Sequence, residues 1–145
     1  MSINENVIER YMKFVKVVKN NIKLLEEFLD SLDSEKTKFR YYQKRNPRQA
    51  IENHLVTLLF VLDSAVGYGH LDVEGDRVWL GICVSSKHHN KGYGASIMKE
   101  LINSYDGTIS LTVDKDNQSA INLYNKFGFS VVREEVVYCL MERSR

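Results

Sequence analysis

A chain of 145 residues suits one domain, and no stretch rich in Pro, Gly or Ser divides it, so a single core is expected over residues 1–145. Hydrophobic residues at 43%, charged residues at 27% and a single Pro exclude an extended disordered or polyproline chain. Twenty Lys and Arg against nineteen Asp and Glu leave a net charge of +1; no global field then recruits nucleic acid or a membrane surface, and any anion site must be local.

Residues 1–10 are acidic and polar where a secretory leader needs a basic start and an apolar run. No apolar run nears the ~20 residues of a membrane span, so a cytoplasmic protein is the expectation. From residue 4 to about 32, Val7, Ile8, Tyr11, Val15, Val18, Ile22, Leu25, Phe28, Leu29 and Leu32 recur at three- and four-residue spacing. The spacing predicts a helical N-terminus, two helices broken at Asn20-Asn21, because asparagine competes for backbone hydrogen bonds. Residues 34–47 are charged and aromatic, with Phe39-Arg40-Tyr41-Tyr42 and Lys44-Arg45 ahead of Pro47. They read as a connecting, substrate-facing segment or as a solvated loop covering the core edge.

Two β-branched-rich runs follow, 54–62 and 65–72, joined by Asp63-Ser64 as an antiparallel hairpin. Glu74-Gly75-Asp76 marks a second turn, and 77–85 is a third strand. Ile97, Met98, Leu101 and Ile102 make a helical stripe within 93–105, 109–113 is the next strand, 117–127 a short helix closed by Gly128, and 130–141 one or two final strands. The fold class expected is α/β in the α+β sense, a mixed and mostly antiparallel central sheet with flanking helices. Consecutive strands without regular alternation disfavour a doubly wound sheet. Cys83 and Cys139 lie in apolar strand-like runs and read as reduced, buried thiols; two cysteines make a poor zinc site, and no metal is expected.

His89-Asn90-Lys91-Gly92-Tyr93-Gly94-Ala95 lies between a strand and a helix. Glycines there let the backbone approach a ligand, and the free amides and positive dipole end of a helix hold phosphate oxygens, so a pyrophosphate fits. A tight strand-to-helix turn made for structural reasons has the same appearance. Ile97 stands where a dinucleotide fingerprint needs a third small residue, and the Lys-Ser/Thr pair of a phosphate loop is missing.

Downstream, Leu111-Thr112-Val113-Asp114-Lys115-Asp116-Asn117 precedes Ala120-Ile121 and Leu123-Tyr124-Asn125-Lys126-Phe127-Gly128-Phe129. Asn117 with Ala120, Tyr124 and Gly128-Phe129 resembles the closing signature of the GNAT acetyltransferases, and the glycine loop resembles their coenzyme-A pyrophosphate loop. The resemblance covers about residues 65–129. It implies acetyl-CoA as acetyl donor, held by backbone amides from about Asn90 to Ala95, that is Asn90, Lys91, Gly92, Tyr93, Gly94 and Ala95, with His89 at the edge of the site. His89 stands where the family usually has Gln or Arg, and Asn90 replaces a common glycine. It also implies that the Val84 amide bonds the thioester carbonyl beside a splayed strand, that Ile82, Cys83 and Val84 line the acetyl group, and that Tyr124 protonates the departing thiolate. Tyr124 otherwise reads as a helix tyrosine packed beside Ile121. Asn117 fixes a strand end and starts a helix, or is an N-cap and nothing more.

An alkyl amine of pKa about 10.4 costs roughly 4 kcal/mol to deprotonate near pH 7.4, and an α-amine near pKa 8 under about 1, so the need for a base depends on the acceptor. The strand 77–84 carries no acid near the loop. On the preceding strand Tyr68, His70 and Asp72 share one face, so His70 is the candidate base with Asp72 orienting it or a water between them; a hydrogen-bonded sheet histidine is the plainer reading. His54 sits at a strand start, and His88-His89 make a poor metal pair.

The expected activity is direct acetyl transfer to a small-molecule primary amine. Against it stands an acyl-CoA-binding sensor that catalyses nothing, or a generic phosphate module that leaves the second motif unexplained. Residues 39–45 with Tyr68, His70 and Trp79 suggest a cleft wall suited to an amino sugar or sugar-nucleotide amine; a protein N-terminus or a polyamine is the alternative acceptor. The first strand of the family is expected to be absent, displaced into 39–42, or hidden in the helical reading. The final strands or the N-terminal stripe offer surfaces for a homodimer.

Overall fold

Alternation of apolar residues across 54–74 is satisfied by a hairpin whose two faces are both covered. The computed structural model describes residues 13–32 and 39–144. In chain order these form β1 (Lys13–Lys16), α1 (Ile22–Ser31), a short α2 (Pro47–Ala50), β2 (His54–Val61), β3 (Ala65–Glu74), β4 (Arg77–Val84), α3 (Tyr93–Asn103), β5 (Ile109–Asp114), α4 (Gln118–Lys126), β6 (Ser130–Glu134) and β7 (Tyr138–Arg143). One seven-stranded sheet runs in the order β1-β2-β3-β4-β5-β7-β6. Every neighbouring pair is antiparallel except β4 with β5.

The helical reading of the N-terminal region is corrected over 13–21. Lys13–Lys16 is a strand, paired antiparallel with β2 from Lys13↔Val61 to Lys16↔Leu58. Phe14 packs on Phe60 with ring centroids 5.2 Å apart. This is the missing first strand, and 40–42 is instead a single 3-10 turn. Val15, Val17 and Val18 are stiff at χ1 and accept strand geometry readily, so pairing with β2 overrides a marginal helical period. Asn20-Asn21 does mark a junction, but one between β1 and α1 by way of a 3-10 turn at Lys19–Asn21, not a break between two helices. Asn21 Oδ1 accepts from Val18 N–H at 2.7 Å and its Nδ2 donates to Lys16 C=O at 2.8 Å, tying the strand end to the start of α1. The part of the helical expectation on residues 4–12 lies outside the described residues.

Period-two alternation gives the sheet two apolar faces. One face, with Leu58, Phe60, Leu71, Val78, Leu80, Leu111 and Met141, buries Ile97, Met98, Leu101 and Ile102 of α3 and is packed by Ile121 and Tyr124 of α4. The other, with Leu59 and Tyr68, buries Leu25, Phe28 and Leu29 of α1. Gly67 and Gly69 allow α3 to lie close on β3. β6 is an exposed edge, with Val131 and Val132 about half exposed, where the expected pairing of copies would occur.

A methyl at Gly69 would lie 2.5 Å from Ile97 Cγ2 and 2.9 Å from Leu101 Cδ1. Gly69→Ala is therefore expected to lower unfolding stability by ~1–3 kcal/mol through overpacking. Urea titration checks it, and an unchanged midpoint contradicts this helix-to-sheet contact.

Candidate active site

The parallel pair β4–β5 is joined only at Trp79↔Ser110. Beyond that point the strands part, leaving a gap through the sheet. Ser85 N–H donates to Val66 C=O at 3.0 Å, which fixes the phase of the β3–β4 ladder. By the alternation of an antiparallel ladder, the N–H and C=O of Ile82 and Val84 turn away from β3, toward the gap. Val84 C=O accepts from His89 Nε2 at 2.8 Å. His89 thus folds back on the strand end, and its side chain is engaged in shaping the turn.

Asn90 adopts φ 62° and Gly92 φ 80°, both in the left-handed region. Asparagine tolerates that region better than most side chains, so Asn90 fits a position where a glycine is common. Gly92 is the N-cap of the eleven-residue α3 and has no side-chain cap, leaving the first-turn N–H groups of Tyr93, Gly94 and Ala95 without an intrahelical partner. The helix end carries about half a positive charge. Tyr93 sends its ring into the core, 5.1 Å from Phe60, so it offers the loop only its backbone. A methyl at Gly94 would meet Leu123 of α4 at 3.6 Å, so α4 flanks this helix start.

Asn117 is the N-cap of α4, its Oδ1 accepting from Ala120 N–H at 3.3 Å. Gly128, at φ 90°, closes the helix, and Phe129 N–H donates to Tyr124 C=O at 3.0 Å. Tyr124 stands edge-on to Phe129, 6.0 Å between centroids. Burial pushes its phenol up to about 12. Among the described residues nothing bonds its hydroxyl.

On the opposite face, residues 39–45 cover a cleft of about 370 Å³ whose walls include Arg40, Tyr41, Arg45, His70, Trp79, Gly81 and Thr112. Gly81 and Thr112 each lie two residues past the last β4–β5 pair, so the cleft sits over the gap. Arg40 is ion-paired with Asp114, bridging this segment to the end of β5. The Arg45 guanidinium lies 4.3 Å from the Tyr41 ring centroid. Asp72 does not orient His70, correcting the expected pairing. Its Oδ2 accepts from the Tyr41 hydroxyl at 2.9 Å, while His70 Nδ1 meets the Tyr68 hydroxyl at 2.6 Å. Tyr68 is fully buried and so stands behind the cleft instead of in its wall. Phe39 likewise packs inward, 5.3 Å from Tyr68.

His54, at the start of β2, belongs to this network, which the sequence reading passed over. Burial, then the nearby Arg45 charge, lowers it to about 4, so near neutrality its ring carries one proton. The Tyr41 hydroxyl donates to Asp72 and must accept from His54 Nε2–H at 2.7 Å, leaving His54 Nδ1 to accept from Thr57 Oγ1 at 2.7 Å. Every donor in the series points toward the Asp72 carboxylate. Burial, then His54 and Arg45, holds His70 well below the ordinary imidazole range. The charged form of the ring is therefore disfavoured at this position. No helix among the described residues is long and apolar enough to cross a membrane.

A family model described as the Acetyltransferase (GNAT) family matches residues 21–129. The L-amino acid N-acetyltransferase AaaT of Escherichia coli (strain K12) is 41% identical over 56 residues, 35% of this chain and 35% of that protein. A mycothiol acetyltransferase of Corynebacterium jeikeium (strain K411) is 36% identical over 61 residues, 39% of this chain and 18% of that protein. The chain thus matches about a third or less of these relatives' own lengths. A GNAT acetyltransferase structure from Streptococcus pneumoniae superposes with TM-score 0.72 at 21% identity, covering 91% of this chain and 98% of that one. The likeness to it is one of fold.

Because the folded-state value of His54 is depressed, the unfolded chain binds a proton that the folded chain refuses. This contribution to stability is complete above about pH 6.5 and declines as pH falls toward 4, by at most ~1.4 kcal/mol per pH unit. His54→Gln should flatten that decline in urea titrations between pH 6.5 and 4; identical slopes in the two proteins would rule out a neutral, buried His54.

Proposed function

Because the chain belongs to the GNAT acetyltransferase family, we propose that it moves an acetyl group from acetyl-CoA to the primary amine of a small molecule by direct attack. One observation carries this reading: the gap between β4 and β5, with the Val84 amide turned into it, is followed in the chain by the turn 85–92 and the uncapped start of α3. In this account amides of 90–95 hold the pyrophosphate through hydrogen bonds and the helix field, while the His89 N–H is spent on Ser86 C=O, and Ile82, Cys83 and Val84 border the acetyl end. The Val84 N–H polarises the thioester carbonyl and bonds the oxyanion that forms when nitrogen attacks. The carbon–sulfur bond then breaks, the thiolate receives a proton from the Tyr124 hydroxyl, the nitrogen gives up its own proton to solvent, and Tyr124 is reprotonated from solvent. The burial that keeps this phenol protonated also penalises a thiolate left beside it, so a proton or strong hydrogen bond to sulfur is favoured. Asn117 contributes by capping and thereby placing α4, not by touching the cofactor.

The acceptor enters over the opposite face, where Tyr41 and Trp79 offer flat apolar surfaces and Asp72 and Glu74 polar edges, a lining that suits an amino sugar or sugar-nucleotide amine. A second reading has its own observation. Arg45 has no carboxylate partner among the described residues, and a relative is named for L-amino acids, so Arg45 holding the acceptor's carboxylate is the alternative.

Thiol release from acetyl-CoA, followed over a panel of amino sugars, amino acids, peptides and polyamines, tests the reading. Tyr124→Phe is expected to lower kcat by roughly 100-fold while leaving the Kd for acetyl-CoA within twofold. Tight binding without thiol release on any amine would support the sensor instead.

A further inference from the structure

Two short hydrogen bonds run in series beneath the acceptor cleft through groups that acetyl transfer as described leaves unassigned. The Tyr42 hydroxyl lies 2.6 Å from the Tyr68 hydroxyl, and the Tyr68 hydroxyl lies 2.6 Å from His70 Nδ1. Tyr68 is fully buried and His70 is 2% exposed. The His70 ring lies over Gly81, where a methyl would come 2.6 Å from Nε2. Among the described residues nothing bonds Nε2, yet the one sealed side-chain polar atom without a partner is Arg143 Nη1. His70 lines the cleft, and because Nδ1 is joined inward to Tyr68, Nε2 is the ring nitrogen left to face it. At the far end Tyr42 borders a different surface cavity, of about 410 Å³, together with Glu26 and Asp30.

Each member of this series both donates and accepts. With His70 protonated at Nδ1, the bonds run outward: Nδ1–H to Tyr68, and Tyr68 to Tyr42. With His70 protonated at Nε2 they run inward: Tyr42 to Tyr68, and Tyr68 to Nδ1. Exchanging one pattern for the other moves a proton between two cavities and leaves every member neutral.

We propose that His70, Tyr68 and Tyr42 form a proton relay that carries the amine's proton away from the acceptor cleft. The inference rests on the acetyltransferase reading above. As the amine loses its N–H proton to His70 Nε2, the Nδ1 proton passes to Tyr68, the Tyr68 proton to Tyr42, and the Tyr42 proton to water. When product has left, the reverse shift restores the starting pattern and releases the Nε2 proton to water in the emptied cleft, so the amine's proton ends in solvent. The electrostatics favour concerted movement over storage. Burial makes an imidazolium at His70 costly and raises both phenols, and the relay forms neither imidazolium nor phenolate. A histidine whose charged form is disfavoured can then serve. His70 touches the amine, and Tyr68 and Tyr42 act through it.

The test uses the full chain with 15N-labelled histidine, and it needs no acceptor. The resting protein is expected to populate the Nδ1–H form of His70, and Tyr42→Phe, which removes only the last hydroxyl, to shift the ring to Nε2–H because Tyr68 can then donate only inward. A ring already Nε2–H and unmoved by Tyr42→Phe overturns the relay. In thiol-release assays with glucosamine and glycine as probe amines, Tyr42→Phe and Tyr68→Phe should each lower kcat about tenfold or more, leave KM for acetyl-CoA within twofold, and reduce the solvent isotope effect. Unchanged kcat in both variants overturns it as well. Failure of the parent protein to acetylate either probe bears on the acceptor reading, and the tautomer measurement still decides the relay.

Discussion

The separation of β4 from β5 after Trp79↔Ser110 is the feature on which the site depends. A parallel pair that stops inside a sheet leaves backbone N–H and C=O groups turned toward one another across a gap, and buried groups of that kind require partners. The phase of the β3–β4 ladder decides which groups these are, so Val84 and Ile82, not Cys83, address the gap. An extended ligand arm carrying its own amides would replace the missing ladder bonds. The uncapped start of α3, a few residues later in the chain, then meets the anionic end of the same ligand.

The gap also joins two faces that the helices otherwise keep apart. In the proposed reaction, donor chemistry belongs to the side of α3 and α4, with Tyr124 set by the Gly128 closure of its helix and by contact with Phe129. The proposed acceptor side is that of α1, where residues 39–45 fold over His70 and Gly81. That segment is held through three of its residues. Arg40 pairs with Asp114, Tyr41 is locked between His54 and Asp72, and Tyr42 bonds Tyr68. Hydrogen bonds in buried networks are stronger than in water, and their loss is correspondingly costly, so the cleft roof is anchored to the sheet at several points.

Much of the donor side was legible because residue type there answers a backbone requirement. Gly92 and Gly128 occupy left-handed positions, Asn90 occupies another that asparagine tolerates, and Asn117 is an N-cap. Period-two alternation likewise placed Tyr68, His70 and Asp72 on one face. What alternation does not encode is the partner of each. Tyr41 lies 13 residues from His54 and 31 from Asp72, and Tyr42 lies 26 from Tyr68, so these bonds exist only once the chain is folded. Lys13–Lys16 was hidden for a related reason. Four residues carry too little period to outvote a helical pattern, and the pairing with β2 that decides the matter involves residues more than forty positions away.

The most direct test of the account is a titration of the 15N-labelled chain with coenzyme A, followed through backbone amide resonances. The account predicts saturable shifts at Val84, Gly92, Gly94 and Ala95, on both sides of the turn, with the amides of β1 unmoved. Resonances of those four residues that stay in place at millimolar coenzyme A, or shifts confined to other parts of the chain, would contradict it.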